Sequence, residues 1–437
     1  VRNDPGTMRA LPVFKTVATW AVALLAVSGL GAAFSRMNTP SELWTTSFGV
    51  LIILKVSLLA ALLLTARTLQ TRVVGAGSAQ RPTLVRFAAI EVVLMAAAAG
   101  IGVALAQTPY PRIQIEFPTN AETLLGRFFP PEPTAARVFL GWSTEPLFLG
   151  LAALGIGLYL SGVIRLHRRG DSWPVLRTIA WVTGWLSIVW ATNAGVSVYA
   201  LVSLKWHMVA HMVLSMIAPI LLAMSAPLTL ALRALPTTHG ERRGAREWIV
   251  WGMHTRLASF ITHPLWALFV FTIGLYGLYY TPLFSWLMSS HVGHLAMQVH
   301  FIAAGYLFAW VVIQTDPLPR DLPHWQRLML ATVAMLLHAF FAVPIMMASA
   351  AFGSAWYSQV QPPWLPDLVA DSRDAGAIAW GIAEAPTLLL VIAVAVQWAR
   401  ADTREATRRD RRVDRDGDAE LAAYNEQLRR LAERDQA

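Results

Sequence analysis

The sequence predicts an all-α protein, a polytopic membrane helix bundle of about ten transmembrane helices. Of its 437 residues, 56% are hydrophobic and only 14% are charged, and the mean hydropathy is +0.49. A soluble domain of this length carries more charge on its surface. The apolar residues also fall in blocks of about 20, the length that a helix needs to cross a bilayer core of roughly 30 Å.

Apolar runs between charged or proline-rich breaks place the ten spans. In chain order they are 12–34, 46–66, 84–106, 144–165, 176–198, 206–231, 261–283, 291–313, 326–349 and 376–399. Alternate connections are rich in arginine: Arg67, Arg72 and Arg81; Arg165, Arg168 and Arg169; Arg233, Arg242, Arg243 and Arg246; and Arg400 to Arg412. Basic loops remain in the cytoplasm, so we expect both termini there.

Arginine dominates the basic residues, because Lys15, Lys55 and Lys205 are the only lysines among 35 and the net charge is +9. This bias is typical of GC-rich genomes and favours the cell membrane of a bacterium, with the lipid bilayer as the main surroundings. Basic residues also fix membrane orientation, and no base-stacking aromatic stripe lies between them. The sequence therefore indicates no nucleic-acid partner.

Proline marks the best internal boundary, since six prolines lie between residues 107 and 143. We expect an extended extracytoplasmic linker over 107–143, between a three-span segment (1–106) and a seven-span domain (144–400). Residues 401–437 form a charged cytoplasmic tail. Its apolar residues at a/d spacing predict a short helix, either solvated or bound to a partner: Leu421, Tyr424, Leu428 and Leu431.

Cysteine is absent, so soft-metal chemistry would depend on histidine and methionine. The sixth span contains His207 and His211 on one helical face, beside a stripe of Met208, Met212 and Met216. The eighth span carries an oblique ridge at three-residue spacing: His291, His294, Met297 and His300. The ninth span has His338 near mid-depth. Together these side chains form a ladder of nitrogen and sulfur donors that leads inward from the outer side.

Mixed imidazole and thioether donors without cysteine indicate copper, as Cu(I), before zinc or iron. A single interfacial histidine, or a methionine stripe alone, is more often structural. The combination across three spans on one membrane side favours a metal. Facing histidines also bind haem in helix bundles, and His300 with His338 would be the natural pair.

Three further charges are predicted inside the membrane. Lys55 and Glu91 lie at comparable depth in adjacent spans, so we expect an ion pair that is either structural or part of a proton or ion path. Glu384 has no basic partner nearby in sequence. It would be protonated, bonded to a histidine, or a metal ligand.

The segment from about 141 to 425 resembles the CtaG-type cytochrome c oxidase assembly proteins, which have seven membrane helices. The resemblance depends on an ordered set of motifs: His207 to Met212 followed by Ala218-Pro219, Asp316-Pro317, Leu337 to Phe341, Trp380 to Glu384, and Trp398 to Arg400. The first 110 residues resemble the C-terminal part of CopD, a copper-resistance membrane protein. Here the matching features are Phe48-Gly49, Leu54-Lys55, Arg86 with Glu91, and Thr108-Pro109. Actinobacterial proteins similar to this chain fuse the two modules.

The resemblance implies a non-enzymatic copper-handling assembly factor that supplies Cu(I) to the CuB centre of a haem-copper oxidase. Its partners would be oxidase subunit I and an extracytoplasmic copper chaperone. His207 and His211 match the family motif best, followed by His338, with Met208 and Met212 beside them. A membrane copper importer is the alternative within the same chemistry, and a bis-histidine haem protein is the alternative from another class.

Overall fold

The computed structural model describes residues 39–68, 81–109, 119–237, 244–416 and 419–435, with Pro111 and isolated positions from 29 to 37. These residues are mostly helical and form no β-strand. The chain divides into two compact units, Val1–Glu116 and Phe117–Ala437. The predicted all-α membrane bundle is confirmed.

The first unit contains a pair of antiparallel helices, α1 (Ser47–Thr68) and α2 (Arg81–Gln107). Phe48 and Ile52 near the start of α1 pack against Leu105 near the end of α2. These helices match the second and third predicted spans. The first predicted span, 12–34, lies almost wholly outside the described residues.

The register of this helix pair differs from the register expected for Lys55 and Glu91. Lys55 is exposed, and its Nζ lies 3.8 Å from the position that a Cβ on Gly102 would occupy. Gly102 is about 16 Å along α2 from Glu91, at 1.5 Å per residue. The salt bridges among the described residues accordingly do not include Lys55 with Glu91. The expected ion pair is not formed, because span boundaries alone set the two depths incorrectly.

Among its described residues, the second unit contains seven main helices and a tail helix. They are α3 (Pro146–Arg168), α4 (Val175–Asn193), α5 (Leu204–Ala234), α6 (Pro264–Tyr279), α7 (His291–Ile313), α8 (His324–Met346), α9 (Leu368–Asp416) and α10 (Ala419–Asp435). The first seven match the fourth to tenth predicted spans. Helix α10 confirms the predicted tail helix. Seven helices in the described residues are long and apolar enough to cross a membrane, and α6 and the Ala89–Leu105 part of α2 are shorter apolar helices.

Residues 119–143, predicted as an extended linker, instead pack onto the second unit. They form helices Asn120–Leu125 and Ala135–Leu140, each with a threonine N-cap. The indole of Trp364 donates to Pro130 O at 2.7 Å, and the Tyr199 hydroxyl donates to Pro131 O at 2.8 Å. The carbonyls of Pro130 and Pro131 thus connect this segment to the helices of the second unit. We call this end of the bundle the linker end, and the end with Arg168 and Arg233 the arginine end.

Helix α5 is the central element of the second unit. It packs against α3, α4, α7 and α9, and 67% of its most apolar stretch is buried, against 17% in α3. A helix surrounded in this way presents side chains to the protein interior on nearly every face. Helix α5 also carries His207 and His211.

Candidate functional site

A buried carboxylate fixes the start of α5. Ser203 caps the helix, and Asp371 of α9 accepts hydrogen bonds from the Ser203 hydroxyl at 2.7 Å and from the backbone N–H of Leu204 at 2.7 Å. The first N–H groups of a helix have no partner within the helix, so this carboxylate satisfies donors that lipid could not. Asp371 thereby locks α5 to α9 one turn before His207.

His207 and His211 are buried, with 4% and 2% of their surfaces exposed. Both ring nitrogens of His207 and Nε2 of His211 have no hydrogen-bond partner. His211 Nδ1 and the hydroxyl of Tyr279 share a hydrogen bond of 3.2 Å. Buried polar atoms in proteins are almost always paired, so three unpaired imidazole nitrogens on one face indicate a ligand-binding role.

Helix α7 places His294 and Met297 beside this pair. The rings of His207 and His294 have centroids 6.2 Å apart, and a small cavity of about 10 Å³ is lined by His207, His211, His294 and Met297. A metal-bound imidazole nitrogen lies about 2 Å from the ion, so two rings on opposite sides of one ion have centroids about 6 Å apart. The separation fits one ion held between His207 and His294.

Sequence also explains the irregular backbone below His211. Pro219 has no N–H and cannot bond the carbonyl of Ser215 four residues earlier, and residues Val213–Ile217 form a π-helical turn. Gly305 of α7 lies so close to Ser215 O that a Cβ there would clash with it. Such turns are frequent at functional sites. Here the turn brings α7 against α5 directly beneath the histidines.

A wider polar pocket of about 380 Å³, here called the vestibule, lies at the linker end. Its wall includes a close polar contact, with His291 Nε2 3.3 Å from Glu145 Oε2. Ser197, His294 and Gln298 line both the vestibule and the inner cavity. The outer pocket and the buried histidines therefore share one wall.

His300 and His338 lie deeper in the bundle. His338 is buried, its Nε2 has no partner, and its ring packs against Phe341. His300 is half-buried, and its Nε2 lies against Gly274 of α6, where a Cβ would clash with it. Both lie in the surroundings of His211. The structure thus brings the predicted histidines of three helices into one neighbourhood.

The predicted methionines separate into distinct environments. Met297 lines the inner cavity with the histidines. Met216 lines another small cavity with Phe271 and Thr387. Met208 and Met212 are fully buried in the main apolar core and line none of these cavities. Helical spacing alone did not distinguish the sulfur beside the histidines from the sulfurs that pack.

Glu384 lies apart from these groups. It is exposed on α9 and does not line the inner cavity. Within the described ranges, no group of three or more histidine, cysteine or carboxylate side chains is arranged to hold a metal ion. The donors that line the inner cavity are the imidazoles of His207, His211 and His294 and the thioether of Met297. Imidazole with thioether is a donor set that suits Cu(I).

Sequence reasoning missed Asp371, Tyr279 and Glu145 as parts of the site. The sequence offered one signal for the start of α5, because Ser203 is a residue type that commonly caps a helix, but it does not show that Asp371 accepts from the Ser203 hydroxyl. Tyr279 and Glu145 contact histidines from distant helices. No local pattern carries such contacts.

The fold and site define a multi-pass helical membrane protein with a buried row of histidines and methionine. The family model described as cytochrome c oxidase caa3 assembly factor matches residues 157–401, and the model for copper resistance protein D matches residues 8–105. The first match covers more than half of the chain. The chain belongs to the cytochrome c oxidase caa3 assembly factor family.

Relatives occur in mycobacteria. Uncharacterized proteins of Mycobacterium bovis and Mycobacterium tuberculosis are each 42% identical to the chain over 325 residues, which is 74% of this chain and 49% of theirs. One of Mycobacterium leprae is 38% identical over 317 residues, covering 72% and 48%. The chain spans about half the length of these relatives. No solved structure matches it.

Proposed function

We propose that this protein receives Cu(I) at the linker end, on the extracytoplasmic side of a bacterial cell membrane, and hands it to the CuB centre of oxidase subunit I. The observation that carries the proposal is the set of unpaired, buried imidazole nitrogens of His207 and His211 beside His294 and Met297. Membership in an oxidase assembly family supports the destination, and the copper-resistance match supports the cargo.

The donors lie at increasing depth along the three helices. At 1.5 Å per residue, His294 of α7 and His207 of α5 are about 5 Å inward from the helix starts, and His211 is about 10 Å inward. His338 and His300 are deeper still: His338 is about 12 Å from the end of α8 at Met346, and His300 is about 14 Å from the start of α7. An ion leaving the vestibule would exchange one donor for the next, and thioethers and neutral imidazoles release Cu(I) readily enough for such exchange.

The proposed orientation is inferred from the arginine-rich loops: both termini would lie in the cytoplasm and the vestibule outside. An extracytoplasmic copper chaperone would then donate the ion at the vestibule. Subunit I would accept it from the membrane-embedded flank of the bundle.

The test replaces both central histidines, His207→Ala with His211→Ala, in cells that express a copper-dependent oxidase. We expect normal membrane abundance, loss of bound copper from the purified protein, and low CuB occupancy at limiting copper, with partial rescue by excess copper because mass action offsets a weakened acceptor. The matched control, His167→Ala with His254→Ala, removes two histidines from the arginine end and should change nothing. Normal copper content and normal CuB occupancy in the first variant would contradict the proposal.

Copper import is the second candidate, favoured by the match of residues 8–105 to copper resistance protein D. Labelled-copper uptake by cells with and without the gene separates import from delivery. Haem binding by His300 and His338 is the alternative from another class. A Soret band in the purified protein would favour haem, whereas its absence together with bound copper would favour copper delivery.

A further inference from the structure

A second pocket, at the arginine end, is unrelated to the histidines. It has a volume of about 500 Å³ and is lined by Arg169, Asp171, Arg233 and Arg246 together with the apolar and polar residues from Leu232 to Thr237. Three guanidinium groups face one carboxylate, so the wall is positively charged. We call it the arginine pocket.

The charges in the pocket are only partly neutralised. Arg233 lies 3.7 Å from Asp171 and stacks over Trp173, with its Cζ 5.7 Å from the ring centroid. Arg246 donates from Nε to Leu232 O at 3.0 Å, which holds its side chain at the wall. Among the described residues, its terminal nitrogens and the whole guanidinium of Arg169 have no hydrogen-bond or ion-pair partner. Guanidinium forks of this kind match the oxygens of a phosphate.

The position of the pocket is that of a lipid headgroup. It lies where two membrane-crossing helices end, α3 at Arg168 and α5 at Ala234. Arg246 comes from the short helix Ala245–Met253, whose Trp248 and Trp251 are half-exposed. Tryptophan side chains of this kind concentrate at the membrane–water boundary, and basic pockets between helices at this level bind anionic headgroups.

We propose that the arginine pocket binds a phosphate group, and that an anionic phospholipid supplies it. Asp171 lowers the affinity of the site for phosphate, because its carboxylate repels the phosphate and pairs with Arg233. This site is independent of copper and of the proposed delivery function.

The experiment measures lipid retention by purified full-length protein in native mass spectrometry, with phosphatidylglycerol, phosphatidylcholine and inorganic phosphate as separate probes. We expect phosphatidylglycerol to be retained over phosphatidylcholine. The variant Arg169→Gln with Arg246→Gln should lower phosphatidylglycerol binding about tenfold, since two forks to phosphate are lost. Asp171→Asn should raise it, and this gain remains measurable even where a loss could reflect poor folding.

The matched control is Arg404→Gln with Arg408→Gln, which removes two exposed arginines of α9. It should retain phosphatidylglycerol like the unmodified protein. If the control lost as much phosphatidylglycerol binding as the pocket variant, the loss would be due to the overall change in charge, and the site would be overturned. Binding of inorganic phosphate without lipid retention would overturn the lipid as source, and unchanged binding in both pocket variants would overturn the site altogether.

Discussion

Tyr279 decides which nitrogen of His211 faces the cavity. In the proposed copper site His211 would bind the ion through Nε2 and carry its proton on Nδ1, and Nδ1–H would then donate to the Tyr279 oxygen, 3.2 Å away. We predict that Tyr279→Phe leaves the fold intact and weakens Cu(I) binding by about tenfold to a hundredfold, as is usual when a partner of a metal ligand is lost. Competition titration with a Cu(I) chelator measures this.

The control for this change is Tyr276→Phe on the same helix. The Tyr276 hydroxyl donates to Leu337 O at 2.7 Å and contacts no histidine by hydrogen bond. Cu(I) affinity should be unchanged. A similar loss in both variants would assign the effect to packing of α6.

Methionine supplies the second prediction at this scale. Met297→Leu removes the only sulfur that lines the described inner cavity and should lower Cu(I) affinity several-fold, because a soft ligand is lost while volume is nearly conserved. Met208→Leu with Met212→Leu should leave affinity unchanged, since these side chains do not line the inner cavity. The same titration distinguishes them, and an equal effect of both variants would show that the cavity does not define the ligand set.

The sequence could predict those site residues whose signal lies within one helix. His207 and His211 are recognisable because four-residue spacing puts them on one helical face. Met208 and Met212 share the same spacing, yet the structure places them in the core. The difference depends on which neighbouring helix covers each face, and this information is not local.

At the scale of elements, Asp371 is the clamp between α9 and the start of α5. The carboxylate of Asp371 accepts hydrogen bonds from three donors: the Ser203 hydroxyl, Leu204 N and, at 3.4 Å, Lys205 N. Asp371→Asn replaces one of the two acceptor oxygens with an amide group, which leaves too few acceptors for these donors. We predict that it lowers the free energy of unfolding by about 2 kcal/mol and reduces the melting temperature of the detergent-solubilised protein. Asp374→Asn breaks only an exposed pair with Lys205 and should cost less than about 1 kcal/mol. Equal effects would refute the clamp.

The π-helical turn gives another element-scale prediction. Gly305→Ala introduces a methyl group against Ser215 O and should separate α7 from α5, with low membrane abundance as the result. Gly157→Ala on α3 has open space around it and serves as control. Normal abundance and copper binding in Gly305→Ala would show that the close approach is dispensable.

Helix boundaries were predictable where the helix begins and ends with an apolar run of the sequence. Helix α7 is an example, since it spans the predicted residues 291–313. Helix α9 extends well beyond the predicted 376–399, because buried hydrogen bonds at Asp371 and a charged C-terminal continuation prolong it. The helices within 119–143 were not predictable from apolar runs. Their threonine caps were the available signal.

For the whole molecule, the arginine asymmetry predicts the topology. A reporter fused at the C-terminus should be located in the cytoplasm. A reporter fused within 119–135 should be located outside the cell membrane. Because the described part of 119–143 packs onto the second unit, the inner fusion is best placed after Gly126, a turn residue at positive φ. An exterior C-terminus would reverse the direction of copper transfer.

On the proposed copper path, the two unequal chambers at the linker end would act as a dehydration filter. The vestibule holds many waters, whereas the inner cavity of about 10 Å³ has room for about one. A cation can therefore pass His294 only by exchanging its hydration shell for protein donors. Hard ions such as Mg²⁺ give up water reluctantly and prefer oxygen, whereas Cu(I) gains nitrogen and sulfur ligands in return. We therefore expect metal discrimination to be set by the narrowing of the path as well as by the ligands at its end.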